Sequence, residues 1–213
     1  MAMTWAEFRA GADALVSLQQ RLHADDHDLH SSSNWRWENA PAGHALHRIL
    51  PGWGFLVSAN NVRHCVAPVH AVDVHDSASD DDDDVALAPQ PTDKVLVDYH
   101  VVYSLTYAAP TLYLRATTPD GRPVPTSTVR AQVHAAANRC TSIINVDHFI
   151  SQDEHPVLST PCYMLHPCET ASCLKLLLAT RPTASSPLAT LLAWLSLVQP
   201  VTQMKETLTT SIL

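Results

Sequence analysis

The chain has 213 residues, a formal net charge of −8, 46% hydrophobic residues and only 16% charged ones. That length suits one domain with a core of its own, and the apolar fraction excludes wholesale disorder. No apolar run approaches the ~18 residues of a membrane-spanning helix, the opening MAMTWAEFRA does not read as a signal peptide, and an acidic surface weighs against general nucleic-acid binding.

The acidity is local. Asp73, Asp76 and the run Asp80 through Asp84 carry most of it, and the remaining chain is close to neutral. Five cysteines occur, Cys65, Cys140, Cys162, Cys168 and Cys173. An odd number with no C-x-x-C pair points to reduced thiols in a cytoplasmic setting, and to no structural zinc site. The 13 histidines are scattered at spacings that fit no metal-binding pattern, so no metal is expected.

Thr4 and Glu7 form a capping-box pair, and Trp5, Phe8, Ala12, Leu15, Leu18 and Leu22 recur at helical spacing. The pattern predicts an amphipathic first helix. Strand-like pieces follow at NWRWE, at Gly52–Val57 and at Arg63–Val69, the last two as partners in a hairpin. Residues 71–93 break the composition. Five adjacent aspartates must stay solvated, which predicts a disordered acidic loop. Their spacing lacks the turn glycine of a calcium loop.

From Lys94 the chain is rich in β-branched and aromatic residues. VLVDYHVVYSLTY and TLYLRATT predict two antiparallel strands, followed by a turn at Pro119–Pro123. Thr126–Cys140 has the spacing of a helix. Cys162–Leu165 reads as a short strand, and Thr170 as the cap of a helix through Leu174, Leu177 and Leu178. Ser186-Pro187 starts a last helix through Leu191, Leu195 and Val198, with Pro200 as its stop. The expected fold is therefore α+β, one domain over residues 1–213 with helices against an antiparallel sheet.

The tripeptide His166-Pro167-Cys168 carries the chemistry. Pro167 fixes its own φ, so the chain enters Cys168 rigidly. A helix N-terminus beside a thiol favours its nucleophilic form. Cys162 and Cys173 sit in apolar stripes and read as core. A cysteine hydrolase would need a general base on the thiol, and His166, His148 and His155 are the histidines within reach in sequence.

The stretches EHPVLSTPCYMLHPCET (154–170), YHVVYSLTYAAPTLYLRATTPDGRPV (99–124) and AWLSLVQPV (193–201) resemble the autophagy ubiquitin-like-conjugating enzymes. The paired strands and the tail fit the branch that transfers autophagy-related protein twelve better than its sister, which acts on a lipid-conjugated modifier. The resemblance implies a ubiquitin-conjugating-enzyme-like core and a thioester on Cys168. It implies protein seven as activating enzyme and protein five as the target, whose lysine receives the modifier. His166 and Pro167 would shape the loop. ATP would be used upstream, so no cofactor is expected here. In ordinary ubiquitin-conjugating enzymes an Asn after His-Pro is the candidate oxyanion donor. Here the cysteine itself follows His-Pro, so the donor lies elsewhere: the backbone N–H groups of Glu169 or Thr170, Asn145, or the hydroxyl of Tyr103 or Tyr107. Two rival readings remain at this stage, a non-catalytic adaptor of the same fold and the cysteine hydrolase. Residues 57–69 are the expected edge hairpin for target binding by strand addition.

Overall fold

A computed structural model describes residues 3–25, 34–64, 94–139, 150–179 and 186–204. The acidic stretch 71–93, Cys65, Cys140, Asn145 and His148 lie outside them. The elements in chain order are α1 (Trp5–Asp25), β1 (Arg36–Asn39), β2 (Gly54–His64), β3 (Lys94–Ser104), β4 (Ala109–Thr117), α2 (Thr126–Arg139), β5 (Ile150–Glu154), β6 (Pro161–Leu165), α3 (Pro167–Ala179) and α4 (Pro187–Thr202). All strand pairs are antiparallel. They form one sheet in the order β1-β2-β3-β4-β6-β5. The fold is α+β.

The capping box at the start of α1 is closed from both sides. The Glu7 amide donates to Thr4 Oγ1 at 3.2 Å, and the Thr4 amide donates to Glu7 Oε2 at 2.7 Å. Phe8, Ala12 and Leu15 are fully buried, whereas Leu22 lies outside the stripe at 42% exposed. Helix α4 is the hub of the helical layer and packs against α1, α2 and α3. Its Leu191, Trp194 and Val198 have no exposed surface. Gly11 permits the α1–α4 crossing, since a Cβ there would stand 2.7 Å from the Pro187 carbonyl oxygen.

Three local expectations need correction. Gly54–His64 is one 11-residue strand, so Arg63 does not begin a hairpin partner. Asn60 adopts φ 58°, a left-handed conformation that asparagine tolerates. The Asn61 side-chain amide then donates to the Ser58 and Val97 carbonyls, both at 3.0 Å. The pair of asparagines therefore makes a β-bulge, and the strand continues instead of reversing. The sheet ends at β1 and β5, but β1 pairs only with residues 54–57. Residues 58–64 of β2 therefore run past it, with β3 as their one strand partner among the described residues. Of the expected edge hairpin over 57–69, residues 65–69 lie outside the described residues.

The second correction concerns Pro200. It sits inside the last turn of α4, which ends two residues later at Thr202, with the C-cap Gln203 in the left-handed conformation. A proline near a helix end breaks only its own amide bond to the turn before it. The Gln203 amide still reaches the Gln199 carbonyl at 2.7 Å, and the Arg63 guanidinium takes the Thr202 carbonyl at 2.6 Å. The third is Thr170, which is not a cap. Helix α3 begins at Pro167, and the buried Thr170 hydroxyl donates back to the Pro167 carbonyl at 3.2 Å.

Candidate active site

Strand β6 delivers the thiol loop. It lies between β4 and β5, and its last residue, Leu165, pairs with both Leu112 and Ile150. Leu165 is 1% exposed. The residue after it, His166, stands at the N-cap position, and Pro167 fills the first helical position. Proline suits that place because its missing amide would have no helical partner there. Cys168 is thus within the first turn of α3, not ahead of it. It is a free, partly exposed thiol. The Ser172 hydroxyl donates to its carbonyl at 2.9 Å. Together with the Thr170 hydroxyl this pins the turn that presents the sulfur.

The other described cysteines have different surroundings. Burial pushes the Cys162 thiol up to about 11, helped by the nearby Asp153. Its Sγ donates to the Asp153 carbonyl at 3.4 Å. Burial also raises Cys173, with Glu169 adding to the effect. Both are held as thiols, and the thiolate is the nucleophile. Cys168 is the one placed for chemistry among the described cysteines.

His166 makes two contacts. Its Nδ1 accepts the backbone N–H of Cys168 at 3.3 Å. Its Nε2 stands 3.0 Å from the Tyr107 hydroxyl, and the two rings meet edge to face at 5.2 Å between centroids. One imidazole therefore separates the tyrosine oxygen from the cysteine amide. Tyr107 comes from the turn that joins β3 to β4, with Ala108 beside it at φ 47°. The N-terminal segment clamps this turn. The Met3 amide donates to the Ala108 carbonyl at 3.0 Å, and the Met3 carbonyl accepts the Tyr103 hydroxyl at 2.7 Å.

The two tyrosines thereby separate. Tyr103 is buried with its proton committed to Met3, so it cannot serve as an oxyanion donor. Burial raises its pKa, with Glu7 adding to the rise. Tyr107 is 38% exposed and lies against the thiol loop. Of the backbone candidates, the Thr170 amide falls where helix geometry gives it the His166 carbonyl, whereas the Glu169 amide belongs to the unpaired first turn.

His155 is not a base for Cys168. It occupies the turn between β5 and β6, at the opposite end of the five-residue strand β6 from Leu165. At the usual rise per residue that is about 15 Å from the thiol loop. Its ring is enclosed by Phe55, His100 and Tyr113, with centroids 4.9–5.3 Å away. Its Nδ1 accepts the amides of Val157 and Leu158 at 3.2 and 3.1 Å. Sequence reasoning missed this role. No signal marked it, because strand β5 before it carries no alternating pattern.

Strand β6 of the antiparallel sheet thus feeds Cys168 into the first turn of α3. The chain belongs to the family described as autophagocytosis associated protein, active-site domain, which matches residues 7–209. Among similar proteins is the ubiquitin-like-conjugating enzyme ATG10 of Homo sapiens, 32% identical over 121 residues, which are 57% of this chain and 54% of that protein. The protein of the same name from Arabidopsis thaliana is 32% identical over 110 residues, 49% of this chain and 47% of that one. The Dictyostelium discoideum protein is 29% identical over 120 residues, 52% of each. The chain thus spans about half the length of the curated relatives it matches.

Proposed function

We propose that this protein is an autophagy ubiquitin-like-conjugating enzyme of the cytoplasm, with Cys168 as its thioester cysteine. The single observation that carries the reading is the partly exposed Cys168 at the N-terminus of α3, held by His166 and Ser172. The activating enzyme, autophagy-related protein seven, would pass the C-terminal carbonyl of protein twelve to the Cys168 sulfur. A lysine amine of protein five would then attack that carbonyl. The C–N bond forms, the carbonyl oxygen becomes a tetrahedral oxyanion, and the C–S bond breaks. The sulfur leaves as thiolate, and the amine proton passes to solvent. No cofactor enters this step, because ATP is spent by the activating enzyme.

Such a transfer needs positioning and a donor for the oxyanion. We assign the donor to the Tyr107 hydroxyl, which lies against the thiol loop and has a proton to give. The cysteine-hydrolase reading loses its support here. Both nitrogens of His166 are engaged, by the Cys168 amide and Tyr107, and His155 is enclosed elsewhere. A non-catalytic adaptor would need no such loop.

Cys168→Ser tests the assignment. A serine at this position is expected to trap the modifier as an oxyester that survives reductant, and Cys168→Ala to abolish conjugate formation. Normal conjugation by Cys168→Ala would remove the basis of the proposal.

A further inference from the structure

We infer that His166 is a positioning residue that turns the Tyr107 hydroxyl into a hydrogen-bond donor aimed away from the imidazole. This rests on the reading of Tyr107 as the oxyanion donor and adds the device that orients it. The argument is one of proton accounting. A backbone N–H can only donate, so the Nδ1 that receives the Cys168 amide at 3.3 Å carries a lone pair. The neutral ring must then hold its proton on Nε2. That nitrogen faces the Tyr107 oxygen at 3.0 Å, so the ring donates and the phenol accepts. The phenol's own proton cannot lie along the same axis and is directed elsewhere.

The consequence reaches the substrate. A free phenol rotor spends its proton on any nearby acceptor. With the His166 N–H fixed on it, the Tyr107 oxygen is polarised and its proton is left for a developing negative charge. Preorganised donors of this kind cost no reorientation when the oxyanion forms. The amide of Cys168 thus sets the tautomer, the tautomer sets the phenol, and the residue that carries the thioester governs its own oxyanion donor. His166 touches neither the thioester nor the lysine in this scheme. The pattern His-Pro-Cys gains a reason for its first residue that is separate from helix capping.

Capping alone and positioning make different predictions. Asparagine caps helices as well as any residue, so His166→Asn keeps an acceptor for the Cys168 amide. Its side chain is too short to reach Tyr107. The experiment loads wild type, Tyr107→Phe, His166→Asn and the double variant with the modifier to equal extents. It then follows single-turnover discharge of each thioester to excess lysine. We expect both single variants to slow discharge by roughly 100-fold, the lower end of the range known for lost oxyanion donors. The double variant should be no slower than either one, because both changes break one unit. Wild-type discharge by His166→Asn with slow discharge by Tyr107→Phe overturns the positioning role and leaves the tyrosine donor standing. Wild-type discharge by Tyr107→Phe overturns both. Multiplying defects in the double variant also overturn the coupling. A second readout is independent of activity. The ring-nitrogen NMR shifts of His166 in the unloaded protein should show a protonated Nε2 and a bare Nδ1, and a protonated Nδ1 would contradict the inference.

Discussion

Cys162 lies on strand β6 and Cys168 in the first turn of the helix that follows it, and their surroundings differ. Cys162 is buried and held as a thiol, whereas Cys168 is presented by a capped helix turn. A similar division separates Tyr103 from Tyr107. Tyr103→Phe removes one buried hydrogen bond to Met3, so stability should fall by about 1 kcal/mol. Discharge of the thioester should stay near wild type, unlike that of Tyr107→Phe. Urea unfolding and the discharge assay check both halves. His155 gives a pH signature. Burial, reinforced by His100, holds it down to about 3 from an ordinary 6.5. The unfolded chain takes a proton below about 6.5 that the folded protein refuses. Stability should therefore fall as pH drops from about 6.5 toward 3, with this residue contributing up to about 1.4 kcal/mol per pH unit. His155→Gln keeps an acceptor for the turn amides and removes the titration. Urea midpoints across this range should show a shallower slope in that variant, and an unchanged slope would contradict the assignment. At this scale the order His166-Pro167-Cys168 was legible in the sequence as a candidate site. It could not separate Tyr103 from Tyr107, because their roles depend on where the N-terminal segment docks. Nor could it show the His166 tautomer, which depends on a side-chain rotation onto the Cys168 amide.

The elements themselves follow visible patterns where one face is buried. Helix α1 was legible from its capping box and its Phe8, Ala12, Leu15 stripe, and β3 and β4 from their β-branched and aromatic runs. Strand β5 was not. Its sequence ISQDE has four exposed residues after Ile150, so no alternation marks it, and only pairing with β6 makes it a strand. The bulge in β2 falls in the gap between the two runs expected to form a hairpin, and the register with β3 is what makes the chain continue there. Helix α4 offers two tests. The Ser186 hydroxyl accepts the Ala189 amide at 3.2 Å, so Ser186→Ala should cost about 1 kcal/mol. Gly11→Ala would push a methyl against the Pro187 backbone at the α1–α4 crossing. We expect a loss of roughly 1–3 kcal/mol by urea unfolding, because backbone on the far side cannot move out of the way as a flexible side chain would.

The whole molecule joins these levels. Helix α4 anchors the helical layer, the sheet places β6 beside β4, and the N-terminal segment fixes the β3–β4 turn through Met3. The thiol loop and Tyr107 thus meet because three distant parts of the chain converge. The acidic run that carries most of the net charge of −8 lies outside the described residues. Among the described residues no helix is long and apolar enough to cross a membrane. The most direct test of the central claim is a gel of the full chain incubated with activating enzyme, modifier and ATP, run with and without reductant. We predict an adduct that disappears with reductant and is absent from Cys168→Ala. No reductant-sensitive adduct, or one that persists in Cys168→Ala, would contradict it.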